Sequence, residues 1–288
     1  MSASTSVAAP PILLVEETVR IALLEDLGRA GDVTSAATVA PDAHAEAVIA
    51  SREPGALCGI DAAICAFQLQ RAGLSVEIHA ADGARVAPGD RIASISGNAR
   101  ALLAGERVAL NFLCHLSGIA TTTAAYVSRV AHTNARIVCT RKTTPGLRAL
   151  EKHAVRAGGG SNHRYGLDDA ILIKDNHIAV CGGVAKAVTA AQAYAGHLVS
   201  IEVEVDTLEQ FEEALHAGAK IVLLDNFSAD QLREAVALNA GRAVLEASGG
   251  ISLDTVAAVA ETGVDFISSS KITISAETLD LGLDINIK

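Results

Sequence analysis

Six short segments, each at the end of an apolar strand-like run, carry the side chains with the most chemistry in this sequence. Each segment combines cations, carboxylates, hydroxyls or glycines, and a glycine-rich loop adds His163 and Arg164. The segments are 140–144 (TRKTT), 174–177 (KDNH), 202–206 (EVEVD), 225–226 (DN), 248–250 (SGG) and 268–271 (SSSK). Their regular recurrence indicates that one site collects them.

These residue types predict a site for a small, multiply anionic ligand. Lysines and arginines that converge in one mouth bind anions, and arginine pairs with a carboxylate through two parallel hydrogen bonds. Nearby carboxylates can hold Mg²⁺ or stabilise a developing cation. Glycines that precede a helix present backbone N–H groups to a phosphate. Each feature alone also has a simple structural explanation, such as an ion-paired lysine or a turn, so the joint placement carries the prediction.

The elements that would position these segments alternate between strand and helix. Near-continuous apolar runs separated by helical stretches such as 207–219 and 253–263 predict a parallel sheet covered by helices. A TIM-like barrel would bring all the strand ends to one rim. A doubly wound open sheet remains an alternative, although no GxGxxG follows the first strand. The predicted strands are 135–141, 169–174, 198–205, 220–225, 242–248 and 265–270.

The first hundred residues have a different pattern, which predicts an α+β domain. Helical spacing covers 12–27 and 61–73, and strand-like runs occupy 45–52, 74–80 and 91–97. A long helical pattern follows from residue 101, and we expect a break near Ser117–Gly118. The final run LDLGLDINIK is too short for a domain and should join an existing sheet. The predicted domains are 1–116, together with the tail 275–288, and 117–274.

Composition excludes several classes of protein. The net charge of -10 argues against nucleic-acid binding. Five cysteines without a CxxC pair predict neither a disulfide framework nor a structural zinc site, and they fit a cytoplasmic location. We expect no membrane partner, because no apolar stretch reaches the roughly 20 residues of a membrane helix. The first ten residues lack the pattern of a signal peptide.

Residues 140–178, TRKTTPGLRALEKHAVRAGGGSNHRYGLDDAILIKDNHI, resemble the signature region of the quinolinate phosphoribosyltransferases. ALLEDLGRAGDVTS, ERVALNFLCHLSGIAT, IEVEVD, LLDNF and EASGGI resemble the same family in its usual order, so the similarity spans nearly the whole chain. The resemblance implies an α+β open sandwich domain plus a TIM-like α/β barrel with fewer than eight full βα units. It also implies a homodimer with shared active sites, or a hexamer built from such dimers.

The resemblance further implies the reaction. Phosphoribosyl pyrophosphate and quinolinate, which is pyridine-2,3-dicarboxylate, would give nicotinate mononucleotide, CO₂ and pyrophosphate for NAD biosynthesis. Mg²⁺ would be required, and no organic cofactor. By motif match, Arg107 would reach the neighbouring subunit's site, and Lys142 and Lys174 would neutralise substrate charge. Arg141, His163 and Arg164 would hold the dicarboxylate, and Arg107 would bind a substrate carboxylate. Thr140 is a further substrate-binding residue.

The resemblance also implies roles around the ribose and its phosphate. Glu204 and Asp225 would lie beside the ribose and Mg²⁺. The residues implied for the 5-phosphate are Ser248, Gly249, Gly250, Ser269, Ser270 and Lys271.

This sequence departs from the usual family pattern at a few positions. Ser270 stands where the family usually has glycine, and Ile274 stands where it usually has histidine. His153 replaces a commoner tyrosine and Cys114 a commoner glutamine. Three other functions stay open at this point: a barrel aldolase with Lys174 as Schiff-base nucleophile, the molybdenum-locus homologue of the family, and a non-catalytic ligand-binding paralogue.

Overall fold

The computed structural model describes residues 7–70 and 73–286. Three expectations fall partly outside the described residues. They are the expectation that the first residues are not a signal peptide (1–6), the end of the helix predicted at 61–73 and the end of the tail (287–288). The described chain forms two compact units. The first contains residues up to Ala124, Thr144–Gly159 and the residues from Ala276 onward; the second contains Ala125–Thr143 and Gly160–Ser275. This division differs from 1–116 and 117–274 mainly because residues 144–159 belong to the first unit.

The first unit is an α+β domain built on a four-stranded antiparallel sheet. The strand order is β12-β1-β5-β3, so the C-terminal run does return to an existing sheet, where β12 pairs with β1. The alternating burial of β1 places Ala45, Ala47 and Ile49 on the core face. Its strands are β1 (His44–Ser51), β2 (Gly55–Ala56), β3 (Ser75–Ile78), β4 (Arg85–Val86), β5 (Arg91–Asn98) and β12 (Leu281–Asn286). Its helices are α1 (Ile12–Leu27), α2 (Val33–Thr38), α3 (Ile60–Gln68) and α5 (Arg148–Ala157).

Helix α4 (Ala99–Val130) is continuous, so the expected break near Ser117–Gly118 was wrong. The Ser117 hydroxyl donates to the Cys58 carbonyl at 3.0 Å. A Cβ at Gly118 would lie 1.9 Å from the carbonyl oxygen of Glu277, so this glycine admits another backbone and does not end the helix. Helix α4 is also long and apolar enough to cross a membrane by length and composition, which corrects the expectation that no such stretch exists. However, 67% of its most apolar window is buried inside the protein, as in a core helix.

The second unit is an open α/β barrel of six parallel strands. The strand order β6-β11-β10-β9-β8-β7 follows a barrel circuit, but β6 and β7 do not pair with each other. This arrangement confirms a barrel-like domain with fewer than eight full βα units. The strands are β6 (Arg136–Val138), β7 (Ile171–Ile173), β8 (Ile201–Val205), β9 (Ile221–Asp225), β10 (Val244–Ser248) and β11 (Phe266–Ser268). The helices are α6 (Asp175–Cys181), α7 (Val184–Tyr194), α8 (Leu208–His216), α9 (Ala229–Asn239) and α10 (Val256–Ala260).

Candidate active site

The carboxyl ends of the barrel strands place the predicted site residues at one rim. Side chains alternate along a strand, so residues two apart face the same side. Asp225 pairs in register with Ser248, and Leu223 with Glu246, on the neighbouring strands β9 and β10. The side chains that point into the barrel at the strand ends are therefore polar, and together they form a ring.

A cavity of about 400 Å³ lies inside this ring; we call it the cationic cavity. Four cations from three different loops and strand ends line it, together with three carboxylates. Two leucines, Leu172 and Leu223, also line it. The polar residues that line it are Thr140, Arg141, Lys142, His163, Arg164, Lys174, Glu204, Asp225, Glu246, Ser248 and Ser268.

The arginines of this cavity are held close together. Burial and the neighbouring Arg141 charge both lower the pKa of Arg164. The Arg164 side chain donates to the Ala170 carbonyl at 3.1 Å, whereas its buried Nε has no hydrogen-bond partner within the described ranges. Two adjacent guanidinium groups that are partly desolvated favour an anion between them, and a carboxylate has the matching geometry.

His163 has both ring nitrogens engaged by the protein. Nδ1 accepts from the Arg164 backbone N–H at 2.7 Å, and Nε2 lies 2.8 Å from Glu202 Oε2. Because Nδ1 is an acceptor, the ring proton belongs on Nε2, which donates to Glu202. This geometry allows His163 to position Arg164 and the buried carboxylates, in addition to lining the cavity.

The other half of the cavity pairs lysines with carboxylates. The Lys174 ammonium is hydrogen-bonded to Glu204, and the Lys174 side chain is 45% exposed. Burial and the negative charge of Asp206 raise the pKa of Asp225, while Lys174 and Lys142 oppose that rise. The Lys142 backbone is fixed by bonds to the hydroxyls of Thr140 and Thr273. The cationic cavity can therefore neutralise anions while keeping carboxylates available.

A second cavity of about 310 Å³ adjoins the first and shares part of its wall; we call it the serine–glycine cavity. Thr140, Lys142, Asp225, Ser248 and Ser268 line both cavities. Two adjoining cavities with a common wall can hold two ligands whose reacting atoms meet at that wall. The residues that line only this second cavity are Asn226, Gly249, Gly250, Ile251, Ser269, Ser270 and Lys271.

The loop geometry of the serine–glycine cavity corrects one expectation. Helix α10 begins only at Val256 and is five residues long, so SGG does not lead directly into a helix N-terminus. Backbone N–H groups of the loop remain the available donors. Gly249 has φ +96°, and a Cβ there would lie 2.2 Å from Asn226 Oδ1, so glycine is required. Ser270 begins a 3₁₀ turn (Ser270–Ile272) and is not among the residues with positive φ, so it fits without backbone strain.

Every predicted site residue of the second unit lines one of these two cavities. Arg107 lies in the first unit, on α4, and its side chain is exposed. A larger groove of about 640 Å³ in the first unit is lined by α1, α4 and residues 144–147, and it contains none of the predicted site residues.

Sequence reasoning assigned no role to two groups at the rim, Glu246 and Asn226. Glu246 is buried, and desolvation together with the Glu202 charge raises its pKa to about 7. Asn226 has a left-handed backbone with φ 59°, and its side chain donates to Asp225 at 2.7 Å. The sequence signal for Glu246 was its position two residues before Ser248 on one strand, which places both side chains on the same face. The signal for Asn226 was an asparagine just after a strand, because asparagine tolerates positive φ.

Comparison with known proteins decides the family. The family model for the N-terminal domain of quinolinate phosphoribosyl transferase matches residues 32–117, and the model for its C-terminal domain matches residues 119–284. The chain belongs to the quinolinate phosphoribosyltransferase family. It is therefore an enzyme of the phosphoribosyltransferase class, as the resemblance implied.

Several members of the quinolinate phosphoribosyltransferase family are similar over nearly their whole length. The nicotinate-nucleotide pyrophosphorylase (carboxylating) of Mycobacterium leprae is 45% identical over 93% of this chain and 96% of its own. The probable enzyme of that name from Bacillus subtilis is 44% identical, covering 92% and 91%. The solved nicotinate-nucleotide pyrophosphorylase of Francisella tularensis has a TM-score of 0.93 at 40% identity, covering 98% and 100%.

Membership of the quinolinate phosphoribosyltransferase family weakens the alternatives. The names of these relatives do not favour the molybdenum-locus or non-catalytic alternative. An aldolase lysine needs an apolar pocket that depresses its pKa, whereas Lys174 lies against the carboxylate of Glu204. The two family models meet between residues 117 and 119, within α4, whereas the compact units divide the chain by spatial contact.

Proposed function

We propose that this chain transfers phosphoribose from phosphoribosyl pyrophosphate to quinolinate and releases CO₂ and pyrophosphate, giving nicotinate mononucleotide for NAD biosynthesis. The observation that carries the proposal is the pair of adjoining cavities. One holds four cations around a small volume, and the other is lined by serines, glycines and Lys271. A dicarboxylate fits the first and a phosphorylated ribose the second.

In this proposal the dicarboxylate is oriented before it reacts. Arg141 and Arg164 bind a carboxylate, and His163 fixes Arg164 through the backbone bond to Nδ1. Lys142 lies at the shared wall, where it can contact both substrates. Holding the pyridine nitrogen opposite C1 of the ribose converts a bimolecular encounter into a positioned one, which supplies much of the rate.

The reaction is completed in two steps, transfer of the phosphoribosyl group and then loss of CO₂. The C1–oxygen bond to pyrophosphate breaks with its electron pair leaving on pyrophosphate, and the ring nitrogen forms the new bond to C1. Glu204 and Asp225 face the developing positive charge on the ribose. The ring nitrogen then becomes cationic, so the electron pair left at C2 when CO₂ departs is stabilised. A proton from solvent or from a protein acid restores C2–H.

The donor set at the shared wall fits Mg²⁺. Mg²⁺ prefers carboxylate and phosphate oxygens in octahedral geometry. Burial and the charge of Asp206 raise the pKa of Asp225, and a cation would offset the negative charge of these two carboxylates. Asp225 would hold the ion, together with pyrophosphate oxygens, and Glu204 would assist while paired to Lys174. When bound, Mg²⁺ neutralises charge on the departing pyrophosphate.

We also propose a cytoplasmic homodimer, alone or assembled into a hexamer, in which each active site receives Arg107 from the partner. Its exposed position on α4 leaves the Arg107 side chain available for such a contact. No nucleic-acid or membrane partner is proposed, and no organic cofactor.

The test is a side-by-side assay with quinolinate, nicotinate and phthalate, each with phosphoribosyl pyrophosphate and Mg²⁺. Nicotinate lacks the 2-carboxylate and would leave buried cations unpaired, so we expect its kcat/KM to fall by about a thousandfold or more. Phthalate keeps both carboxylates but has no ring nitrogen, so it should inhibit competitively against quinolinate without reacting. Comparable rates with nicotinate, or no inhibition by phthalate, would contradict the dicarboxylate site.

A further inference from the structure

A buried cluster in the first unit brings together three groups that commonly bind metal ions. Cys58 precedes α3, Asp82 lies between β3 and β4, and His153 lies on α5. Their sulfur, oxygen and nitrogen atoms all lie within 4.8 Å of one another. Cys58 is 0% exposed and His153 is 6% exposed, and the Asp82 side chain is 12% exposed. The cluster is thus a set of mixed ligands withdrawn from solvent.

The cluster is centred on one carboxylate oxygen. His153 Nε2 lies 2.8 Å from Asp82 Oδ2, and Cys58 Sγ lies 3.6 Å from the same atom. The other oxygen, Oδ1, accepts from the backbone N–H of Ile60 at 3.1 Å. This bond at the start of α3 fixes the carboxylate in the way that outer contacts orient metal-binding carboxylates.

These separations are close to those of a tetrahedral zinc site. Zinc bonds of about 2.3 Å to sulfur and about 2.0–2.1 Å to nitrogen or oxygen place ligand atoms roughly 3.3–3.6 Å apart. The 3.6 Å between Cys58 and Asp82 already matches. The 2.8 Å between His153 and Asp82 must open by about half an ångström, when the ion replaces the shared proton. Thiolate and imidazole ligands favour zinc over magnesium, which prefers oxygen alone.

The charges around the cluster also favour a cation. Asp61, in the first turn of α3, is a second carboxylate close enough for burial and the Asp82 charge to raise its pKa. A divalent ion would offset the negative charge of both carboxylates, and the three protein ligands leave the fourth tetrahedral position to a water molecule.

We propose that Cys58, Asp82 and His153 bind one zinc ion, which ties α3, the β3–β4 turn and α5 together. Cys58 and Asp82 are 24 residues apart and Asp82 and His153 are 71 apart, so the site forms only on folding. Zinc binding is therefore coupled to stability. Binding releases the Cys58 thiol proton and requires neutral His153 with its proton on Nδ1. The absence of a CxxC pair does not exclude such a site, because these ligands come from three separate segments.

The experiment uses the full chain after removal of metal with a chelator. Titration with Zn²⁺ should give one tightly bound ion per chain and a higher Tm. Co²⁺ in place of Zn²⁺ should show thiolate-to-cobalt charge-transfer absorption, which requires a cysteine ligand. Cys58→Ser should abolish that absorption and weaken zinc binding by about 100-fold or more. Cys65→Ser is the matched control, because Cys65 is also buried in the first unit but lies outside the cluster.

The outcomes separate this site from other metal binding. The cluster of His163, Glu202 and Glu246 has no thiol, so it cannot produce the charge-transfer absorption. Less than one zinc ion per chain, no change in Tm, or absorption that survives Cys58→Ser would each overturn the proposal. If Cys58→Ser does not fold, His153→Gln must lower zinc affinity by about 10-fold or more. The quinolinate assay is a separate measurement, so failure of the zinc site leaves the proposed transferase function untouched.

Discussion

At the residue scale, the central feature of the site is that Lys174 and His163 are already paired or positioned before a ligand arrives. Lys174 is hydrogen-bonded to Glu204, and His163 to Glu202 and the Arg164 backbone. Such pairing keeps a desolvated site stable, because an uncompensated buried charge is costly. It also fixes the lysine where a substrate anion would arrive, which is what electrostatic preorganisation requires.

The first prediction concerns Lys174. Lys174→Ala should lower kcat by about 100-fold or more, because it removes a preorganised cation from the reacting centre. Circular dichroism should show an intact fold, since the side chain is 45% exposed. Lys186→Ala is the control, because Lys186 is an exposed lysine on α7 of the same unit. Near-normal turnover in Lys174→Ala would remove the assigned role.

The second prediction concerns Glu246, whose pKa is raised to about 7 from 4.5 by burial and the Glu202 charge, against the opposing effects of His163 and Ser268. The folded state therefore binds a proton more tightly than the unfolded state, so this carboxyl makes stability fall as pH rises from about 4.5 to about 7. The slope is at most about 1.4 kcal/mol per pH unit. Glu246→Gln cannot lose a proton and should remove that fall.

Urea unfolding at about pH 5 and about pH 8 measures this effect. The free energy of unfolding of Glu246→Gln, relative to the native chain, should rise between the two pH values. Glu212→Gln, at an exposed position on α8, should leave the pH dependence unchanged. A difference between Glu246→Gln and the native chain that does not grow with pH would contradict the raised pKa.

The sequence predicted the charged rim but not its buried support. Lys142, Arg141 and Asp225 follow apolar runs directly, and strand ends meet at one edge of a parallel barrel, so position in sequence was enough. Glu246 and Glu202 lie inside strands, where a carboxylate is unusual and its partner depends on register between distant segments. Nothing local indicates that His163 would approach them, because that contact forms only when the barrel curves.

At the element scale, helix α4 shows how a local rule can mislead. Serine followed by glycine inside a helical pattern usually lowers the expectation of a continuous helix. Here the Ser117 hydroxyl donates a hydrogen bond to the Cys58 carbonyl, and the missing side chain of Gly118 leaves space for the segment before β12. Both causes are contacts with segments far away in sequence. Strong periodic helices and apolar strands were predicted well, because their burial patterns are local.

The third prediction tests that explanation. Gly118→Ala would place a Cβ 1.9 Å from the Glu277 carbonyl oxygen, and the nearby atoms are backbone, which cannot turn aside as a side chain can. Although alanine favours helix, overpacking should lower the free energy of unfolding by about 1–3 kcal/mol. Gly196→Ala, where nothing lies within 4 Å, is the control and should be nearly neutral. A Gly118→Ala variant as stable as the native chain would show that the tail segment shifts freely.

At the scale of the whole molecule, a chain with a net charge of -10 contains a cavity lined by four cations. The acidic surface repels polyanions, while the cavity attracts small anions that can enter it. In the proposed homodimer, Arg107 of the partner subunit would add a fifth cation to this cavity. Sequence resemblance supplies that expectation, and subunit exchange can test it.

The last prediction is that two inactive variants restore activity when their subunits exchange. Arg107→Ala and Lys142→Ala each impair every site of their own homodimers. In a hybrid dimer, the site with native Lys142 receives native Arg107 from the partner, and the other site lacks both. With random exchange about half the dimers are hybrids, so two-fold symmetry predicts about a quarter of native activity. Mass spectrometry of tagged subunits verifies exchange. Arg129→Ala, at an exposed arginine of α4, controls for nonspecific effects of the substitution. Activity that stays at the level of the parent variants after verified exchange would place Arg107 in its own subunit's site.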